Sequence, residues 1–296
     1  MKPTFLLATT CAAAISLAAT GALGADEPTP KAADKSQYTL FNPTPKDQMR
    51  DFNTDRPTKS NVPYTVPAGH FQYEGDLFIY GYDNTSTPDT QFTLWTVGNP
   101  TFKVGLLNNL DFEVNVSFYN SNRAVQVSTG AQTIGQGFGD TFTRFKWNLF
   151  GNDGGGPAFA FIPYAKWPTA PISPQGTGNG YIEGGLIAPL AVPLPASFTM
   201  IVMGEVDILK NPFNDYYRAQ IPTLINFSRP IFENVTAYAE FFANWSTDWR
   251  VPNIFTADFA LAWQPRPNFQ VDVGINVGLN YAAIPYQIYV GVAQRF

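Results

Sequence analysis

Along most of this chain, hydrophobic and polar residues alternate one by one. Leu110, Phe112, Val114, Val116 and Phe118 alternate with Asp111, Glu113, Asn115 and Ser117. Phe269, Val271, Val273, Ile275, Val277 and Leu279 alternate with Gln270, Asp272 and Asn276. From His70, residues Phe71, Tyr73, Leu77 and Ile79 face one way, with Gln72, Glu74 and Asp76 facing the other. A period of two puts successive side chains on opposite faces of an extended strand. The pattern predicts strands over 70–82, 92–106, 110–122, 138–150, 158–167, 181–192, 198–208, 217–228, 235–244, 255–264, 269–279 and 286–296. Two of them, 158–167 and 181–192, are fairly apolar on both faces.

Alternation alone fits a soluble sandwich as well as a barrel, so length and connections must decide. These segments run about ten to fifteen residues, whereas soluble strands average about five or six. Crossing an apolar band about 25 Å tall at a tilt near 40° takes roughly ten residues. Leu107-Asn108-Asn109, Pro193-Leu194-Pro195 and Pro265-Arg266-Pro267 form short turns, and longer links such as 120–136 and 169–180 lie between them. The alternation of short and long links matches tight periplasmic turns and long external loops. Link 280–285 is a shorter exception. Aromatic residues mark both predicted rims: Tyr80, Tyr82, Trp167, Tyr217 and Trp245 on one, Trp147, Phe150, Phe227, Trp263 and Phe269 on the other. Such belts sit at membrane interfaces.

Energetics favour the same choice. Outer faces with four or five large apolar groups per strand far exceed the few hundred Å² of apolar patch that soluble monomers tolerate. In lipid that surface is solvated, and closure satisfies every backbone edge. The expected fold is therefore all-β, a transmembrane antiparallel barrel of about twelve strands with both termini periplasmic. Its final strand runs to Phe296, a terminal aromatic that resembles the assembly signal read by the barrel-assembly machinery.

The segment before the strands divides in two. Lys2 followed by the apolar run from Phe5 to Ala19, with small residues near Ala22-Leu23-Gly24-Ala25, reads as a signal peptide over 1–24. That run falls short of the about 20 residues a spanning helix needs. Residues 25–69 are rich in Pro, Thr, Asp and Lys and bury too little apolar surface to fold alone. They read as a periplasmic leader, able to tuck into a barrel mouth, with the barrel occupying 70–296.

Composition narrows the function. The only cysteine, Cys11, lies within the signal peptide, which removes disulfides and thiol chemistry from the mature chain. Charged residues make up 14% of the chain, against roughly 25% in soluble proteins. The formal charge of −5, without basic clusters, gives no footing for nucleic acid. Outer-membrane lipid and the assembly machinery are the expected partners.

Four features could carry catalytic chemistry. His70 is the only histidine, and a metal site needs several clustered ligands. An outer-membrane phospholipase would need a serine two residues after its histidine, where this chain has Gln72. The glycine-rich 151–156 is not followed by Lys-Ser or Lys-Thr and reads as a turn. The Glu205/Asp207 pair shares one strand face and reads as lumen lining. Neither a catalytic residue, a metal site nor a cofactor is assigned.

The polar faces then define a lumen. Turned inward, they place Glu74, Asp76, Lys103, Asp111, Glu113, Asp140, Arg144, Lys146, Glu183, Glu205, Asp207, Arg218, Glu240, Asp258, Asp272 and Arg295 inside, where charges avoid the about 2–4 kcal/mol each would cost against lipid. Register pairs Lys103 with Asp111 or Glu113, Arg218 with Glu205 and Asp207, and Arg295 with Asp272 and Glu74. Inward Trp95, Tyr119, Tyr164, Tyr238 and Tyr289 suit organic solutes. Gly81, Gly105, Gly185, Gly274, Gly278 and Gly291 thin the inner wall and favour a narrow channel over a packed polar core.

Several short stretches carry a family likeness. Asn53-Thr54-Asp55-Arg56-Pro57, followed by Val66-Pro67-Ala68-Gly69-His70-Phe71-Gln72-Tyr73-Glu74, resembles the opening of an outer-membrane transporter family labelled for the "MetA pathway of phenol degradation". Gly139-Asp140-Thr141 leading to Lys146-Trp147, and Pro163-Tyr164-Ala165-Lys166-Trp167-Pro168, resemble its middle. The similarity spans about 53–296. It implies passage of aromatic or other small organic compounds and supplies no catalytic residues. The reading is a passive outer-membrane channel for small organic solutes; the alternatives are a closed structural or adhesive barrel and, less favoured, an outer-membrane enzyme.

Overall fold

Strands form where the alternation runs, because each can bury one face and solvate the other. The computed structural model describes residues 34–172 and 176–296; the signal-peptide expectation falls outside them. Among the described residues there are fourteen strand segments: β1 (Phe71–Asp83), β2 (Thr90–Leu107), β3 (Leu110–Asn115), β4 (Tyr119–Gln126), β5 (Gln132–Gly137), β6 (Thr141–Phe150), β7 (Ala158–Trp167), β8 (Glu183–Leu194), β9 (Phe198–Lys210), β10 (Tyr217–Phe232), β11 (Val235–Ser246), β12 (Ile254–Arg266), β13 (Phe269–Gly278) and β14 (Tyr286–Arg295). β3 continues into β4 against β2, and β5 leads into β6. The segments therefore make the twelve staves of a closed antiparallel barrel.

Closure is made by β1, which pairs with both β2 and β14. The seam runs from Gln72 opposite Arg295 to Tyr82 opposite Tyr286. Beyond the last pair, the Phe296 N–H donates to Phe71 O at 2.8 Å. No sheet edge faces lipid along this seam, as a spanning sheet requires.

The link expected over 120–136 is a hairpin instead. β4 and β5 pair from Asn120 opposite Gly137 to Val125 opposite Gln132. Both carry polar residues on both faces, Asn120-Ser121-Asn122-Arg123 in one and Gln132-Thr133 in the other. Without an apolar face there is no hydrophobic period to read, yet the backbone ladder forms all the same. This hairpin prolongs the wall on the side of the long links.

The faces sort as the alternation predicts along most staves. Val206, Phe241, Phe259, Leu261 and Val273 are exposed on the outside, while Glu113 and Asp258 are fully buried inside. Trp95 and Tyr119 depart from expectation. The β1–β14 register shifts between Asp76 and Phe78, and Gly98 of β2 takes a φ of 68°. Past that break the parity changes, so Trp95 contacts Tyr80 and Phe78 with ring centroids 4.7 and 5.0 Å away. Tyr80 pairs with Ile288, an exposed outer residue. Trp95, and Tyr119 opposite the exposed Val97 two residues along β2, thus belong to the outer belt and not to the lumen.

Candidate functional site

The lumen is occupied by the leader. Its anchor is Arg50, which donates to Thr65 O at 2.7 Å and Asn108 O at 2.8 Å at the short-turn mouth. From there residues 51–60 run inward, and 61–68 return to the same mouth. Deepest are Lys59 and Ser60, whose backbone N–H groups donate to the two oxygens of Glu240, each at 3.1 Å. On the return, Asn61 N–H reaches Met203 Sδ at 3.4 Å and Val66 N–H donates to Asp111 at 2.9 Å. Thr65 N–H donates to Asn152 at 3.1 Å. A polar segment without secondary structure thus satisfies its backbone groups on wall side chains, as any buried backbone must.

Three charged side chains of this loop meet the wall. Asp55 takes Lys146 at 2.8 Å and also pairs with Lys103. Lys103 further reaches Glu74 at 2.7 Å and Glu113 at 3.6 Å, and Lys146 reaches Glu113 at 3.3 Å. Arg56 bridges Asp76 at 2.6 Å and Asp272 at 2.5 Å, with its guanidinium 5.8 Å from the Tyr289 ring centre. Lys59 binds Asp258 at 2.5 Å and Thr256 at 3.0 Å, 5.1 Å from the Phe242 ring centre. Burial works against the Asp55 carboxylate, but Lys103 and Lys146 outweigh it and hold its pKa below the usual range. Burial also opposes the Arg56 charge, and the bonds to Asp272 and Asp76 more than compensate.

These contacts change the expected pairing. Lys103 does reach Glu113, but Asp272 and Glu74 are taken by Arg56 and Lys103. Arg295 instead donates to Asn268 at 2.6 Å and to Arg50 O at 2.9 Å, over the Phe52 ring. Arg218 makes no ion pair among the described residues and reaches only Ser246 at 3.4 Å. Asp207 accepts from the Tyr164 hydroxyl at 2.5 Å. Lys166, absent from the sequence expectation, joins Asp140 and Glu183, each at 2.8 Å. Residues Arg144 and Glu205 lie partly buried on the same inner wall, and Tyr238 lines the cavity near the short turns.

The thin places of the wall are filled as well. A Cβ on Gly105 would lie 2.2 Å from Pro67 O, and one on Gly291 would lie 2.1 Å from the Arg56 guanidinium. These glycines make room for the leader and not for an open bore. Gly291→Ala is therefore expected to displace Arg56 from Asp76 and Asp272. Differential scanning of the detergent-folded barrel checks this; the loss of a buried charged pair is worth about 3 kcal/mol or more, and an unchanged midpoint would contradict it.

The inner face of 158–167 and 181–192 now has its reason. Ile162 and Ile187 join Met203 and Leu224 in an apolar cluster on the lumen side, with Tyr164 and Phe242 packed against it. Asn61 lies over Met203 of this patch. Two cavities flank the loop. One of about 340 Å³ opens among Phe52, Thr54, Tyr64, Ser228, Tyr238 and Gln270, near the short turns. The other, of about 310 Å³, lies on the far side of the loop, among Arg56, Lys59, Asn99, Thr101, Asn115 and Arg144.

The sequence expectation missed Asp55, Arg56 and Lys59. A signal existed in Asn53-Thr54-Asp55-Arg56-Pro57, a charged motif inside a segment otherwise read as unstructured. Only a partner in space gives those charges a role.

Solved structures share this architecture. An outer membrane channel from Pseudomonas putida F1 matches with a TM-score of 0.53 at 12% identity, covering 81% of this chain and 100% of that one. The translocator domain of the autotransporter NalP from Neisseria meningitidis matches with a TM-score of 0.50 at 11% identity, over 77% of this chain and 88% of that one. At such identities the likeness is one of fold, that of a porin-like barrel of the bacterial outer membrane. No curated protein matches the sequence. The model of a family described as "MetA-pathway of phenol degradation" matches residues 54–296.

Proposed function

The chain belongs to that family, and on this premise we propose that it is an outer-membrane channel for the passive passage of small organic solutes, aromatic ones among them. The observation that carries the reading is how the lumen is filled. Twelve staves lie between barrels that their own side chains fill and barrels that leave a water channel. Here the bore holds a separable polypeptide loop with a cavity on each side. Phe52, Tyr64 and Tyr238 beside Thr54, Ser228 and Gln270 offer the mixed lining that small organic molecules favour.

In this reading residues 1–24 direct secretion, both termini face the periplasm, and the leader enters from the periplasmic mouth. The lumen residues act by lining and pairing, without catalysis. His70 supports that: both ring nitrogens lie on backbone carbonyls, Thr44 O at 2.8 Å and Phe296 O at 3.0 Å. It clamps the leader to the seam.

The ion-paired loop favours one competing reading, a closed structural barrel. Planar-bilayer recording separates the two. Discrete conductance steps are expected from the refolded protein, with a several-fold larger step once residues 51–67 are deleted. The acidic wall, Asp258, Asp272 and Glu240 among others, is expected to give a cation-selective reversal potential in the deleted form. Silent bilayers from both folded forms would establish the closed barrel, and anion preference would overturn the assigned selectivity.

A further inference from the structure

The wall carries two kinds of buried charge. Lys103 and Lys146 find wall carboxylates, and Lys166 finds Asp140 and Glu183. By contrast, among the described residues Asp76, Asp272 and Asp258 form ion pairs only with the leader. Nearby Glu240 forms none and accepts from backbone N–H groups of the leader. Four carboxyl groups on four staves are thus left by the barrel without a cation of its own.

The form of these sites points to a ligand class. Each combines a carboxylate with an aromatic face: Asp272 and Asp76 with Tyr289, Asp258 with Phe242 and the Thr256 hydroxyl. Carboxylate pairing gives bidentate recognition of guanidinium, and an aromatic face attracts organic cations. The notch over Gly291 admits the planar guanidinium where any side chain would clash. Both cations also line the 310 Å³ cavity, and the Lys59 side chain keeps 29% of its exposure. A solute in that cavity meets the paired groups directly.

We propose that Asp76/Asp272 and Asp258/Glu240 form two organic-cation sites on the lumen wall, and that Arg56 and Lys59 occupy them as tethered ligands latching the loop in place. Free molecules bearing guanidinium or alkylammonium groups compete for the same carboxylates and release the loop. Binding itself does not require passage; only its effect on passage rests on the channel reading.

The test follows loop release, not conductance. Ser60 is buried beside Glu240, so Ser60→Cys in a Cys11→Ser chain gives one shielded thiol. In the detergent-folded barrel its reaction with a maleimide is expected to be slow. Arg56→Gln with Lys59→Gln is expected to speed it at least tenfold, and millimolar agmatine, which carries a guanidinium and an ammonium, several-fold without those substitutions. Sodium chloride at equal ionic strength serves as the control. Equal rates with and without the two substitutions, or agmatine no more effective than the salt, would overturn the proposal. Should the doubly substituted chain not fold, the agmatine arm decides alone. A protein that labels as expected yet conducts nothing after loop deletion would refute the channel and leave the two sites standing.

Discussion

Asp55→Ala is expected to expose the inserted loop to trypsin, raising cleavage after Lys59 by about 100-fold in the folded barrel. Removing one partner of a buried pair leaves the other charge uncompensated, at about 3–5 kcal/mol. Asp55 is shared by Lys103 and Lys146, both nearly inaccessible. Glu74 and Glu113 remain beside those lysines, which puts the effect at the lower end of that range. Cleavage of a transiently opened segment follows the open population when reclosing is fast. The measurement is the first-order rate of the fragment ending at Lys59, read by mass spectrometry. A rate within threefold of the parent would show that the loop is held by its other contacts.

The same carboxylate sets a pH limit. Its pKa is lower in the inserted loop than the ordinary value of about 3.9. A lowered pKa contributes stability above the free value, lost as pH falls through the value in the inserted state. The part of loop retention that Asp55 supplies is therefore expected to be level from neutral pH down to about 5 and to weaken only below about 4. A pyridyl disulfide, which reacts with thiols in acid, reads this on Ser60→Cys. Release already under way between pH 7 and 5 would exclude Asp55 as the controlling group.

The second large effect concerns the seam. Deleting Phe296 is expected to cut the amount of folded protein in outer-membrane fractions severely, while refolding into detergent falls far less. Phe296 extends the β1–β14 pairing by its bond to Phe71, and its carbonyl meets His70. Its side chain is exposed, so little packing is lost, and recognition during assembly is the role we propose for it. An unpaired backbone group in hydrocarbon costs several kcal/mol, but one lost bond at a rim cannot abolish a barrel. Heat-modifiable gel mobility of membrane fractions checks this. Equal amounts of folded protein with and without Phe296 would count against the assembly role.

What the sequence determined alone is the wall. Period-two alternation is a local property, so β13, with Val271, Val273 and Ile275 on one face and Gln270 and Asp272 on the other, can be read without any partner. Length, turn spacing and aromatic rims then separate a lipid-facing barrel from a sandwich. Where alternation fails, the sequence falls silent: β4 and β5 are polar on both faces, and Trp95 lies past a break that reverses parity.

What only the tertiary structure decided is the content of the lumen. Alternation shows that Asp76, Asp258 and Asp272 point inward but says nothing of what they meet. Their partners, Arg56 and Lys59, lie in a segment with no period. Arg56 and Asp272 are 216 positions apart. Pairing across that distance depends on closure, which brings β1 and β14 together and turns every polar face toward one axis. The alternation therefore specifies a wall and a charge to be neutralised, and only the closed barrel specifies that the leader neutralises it.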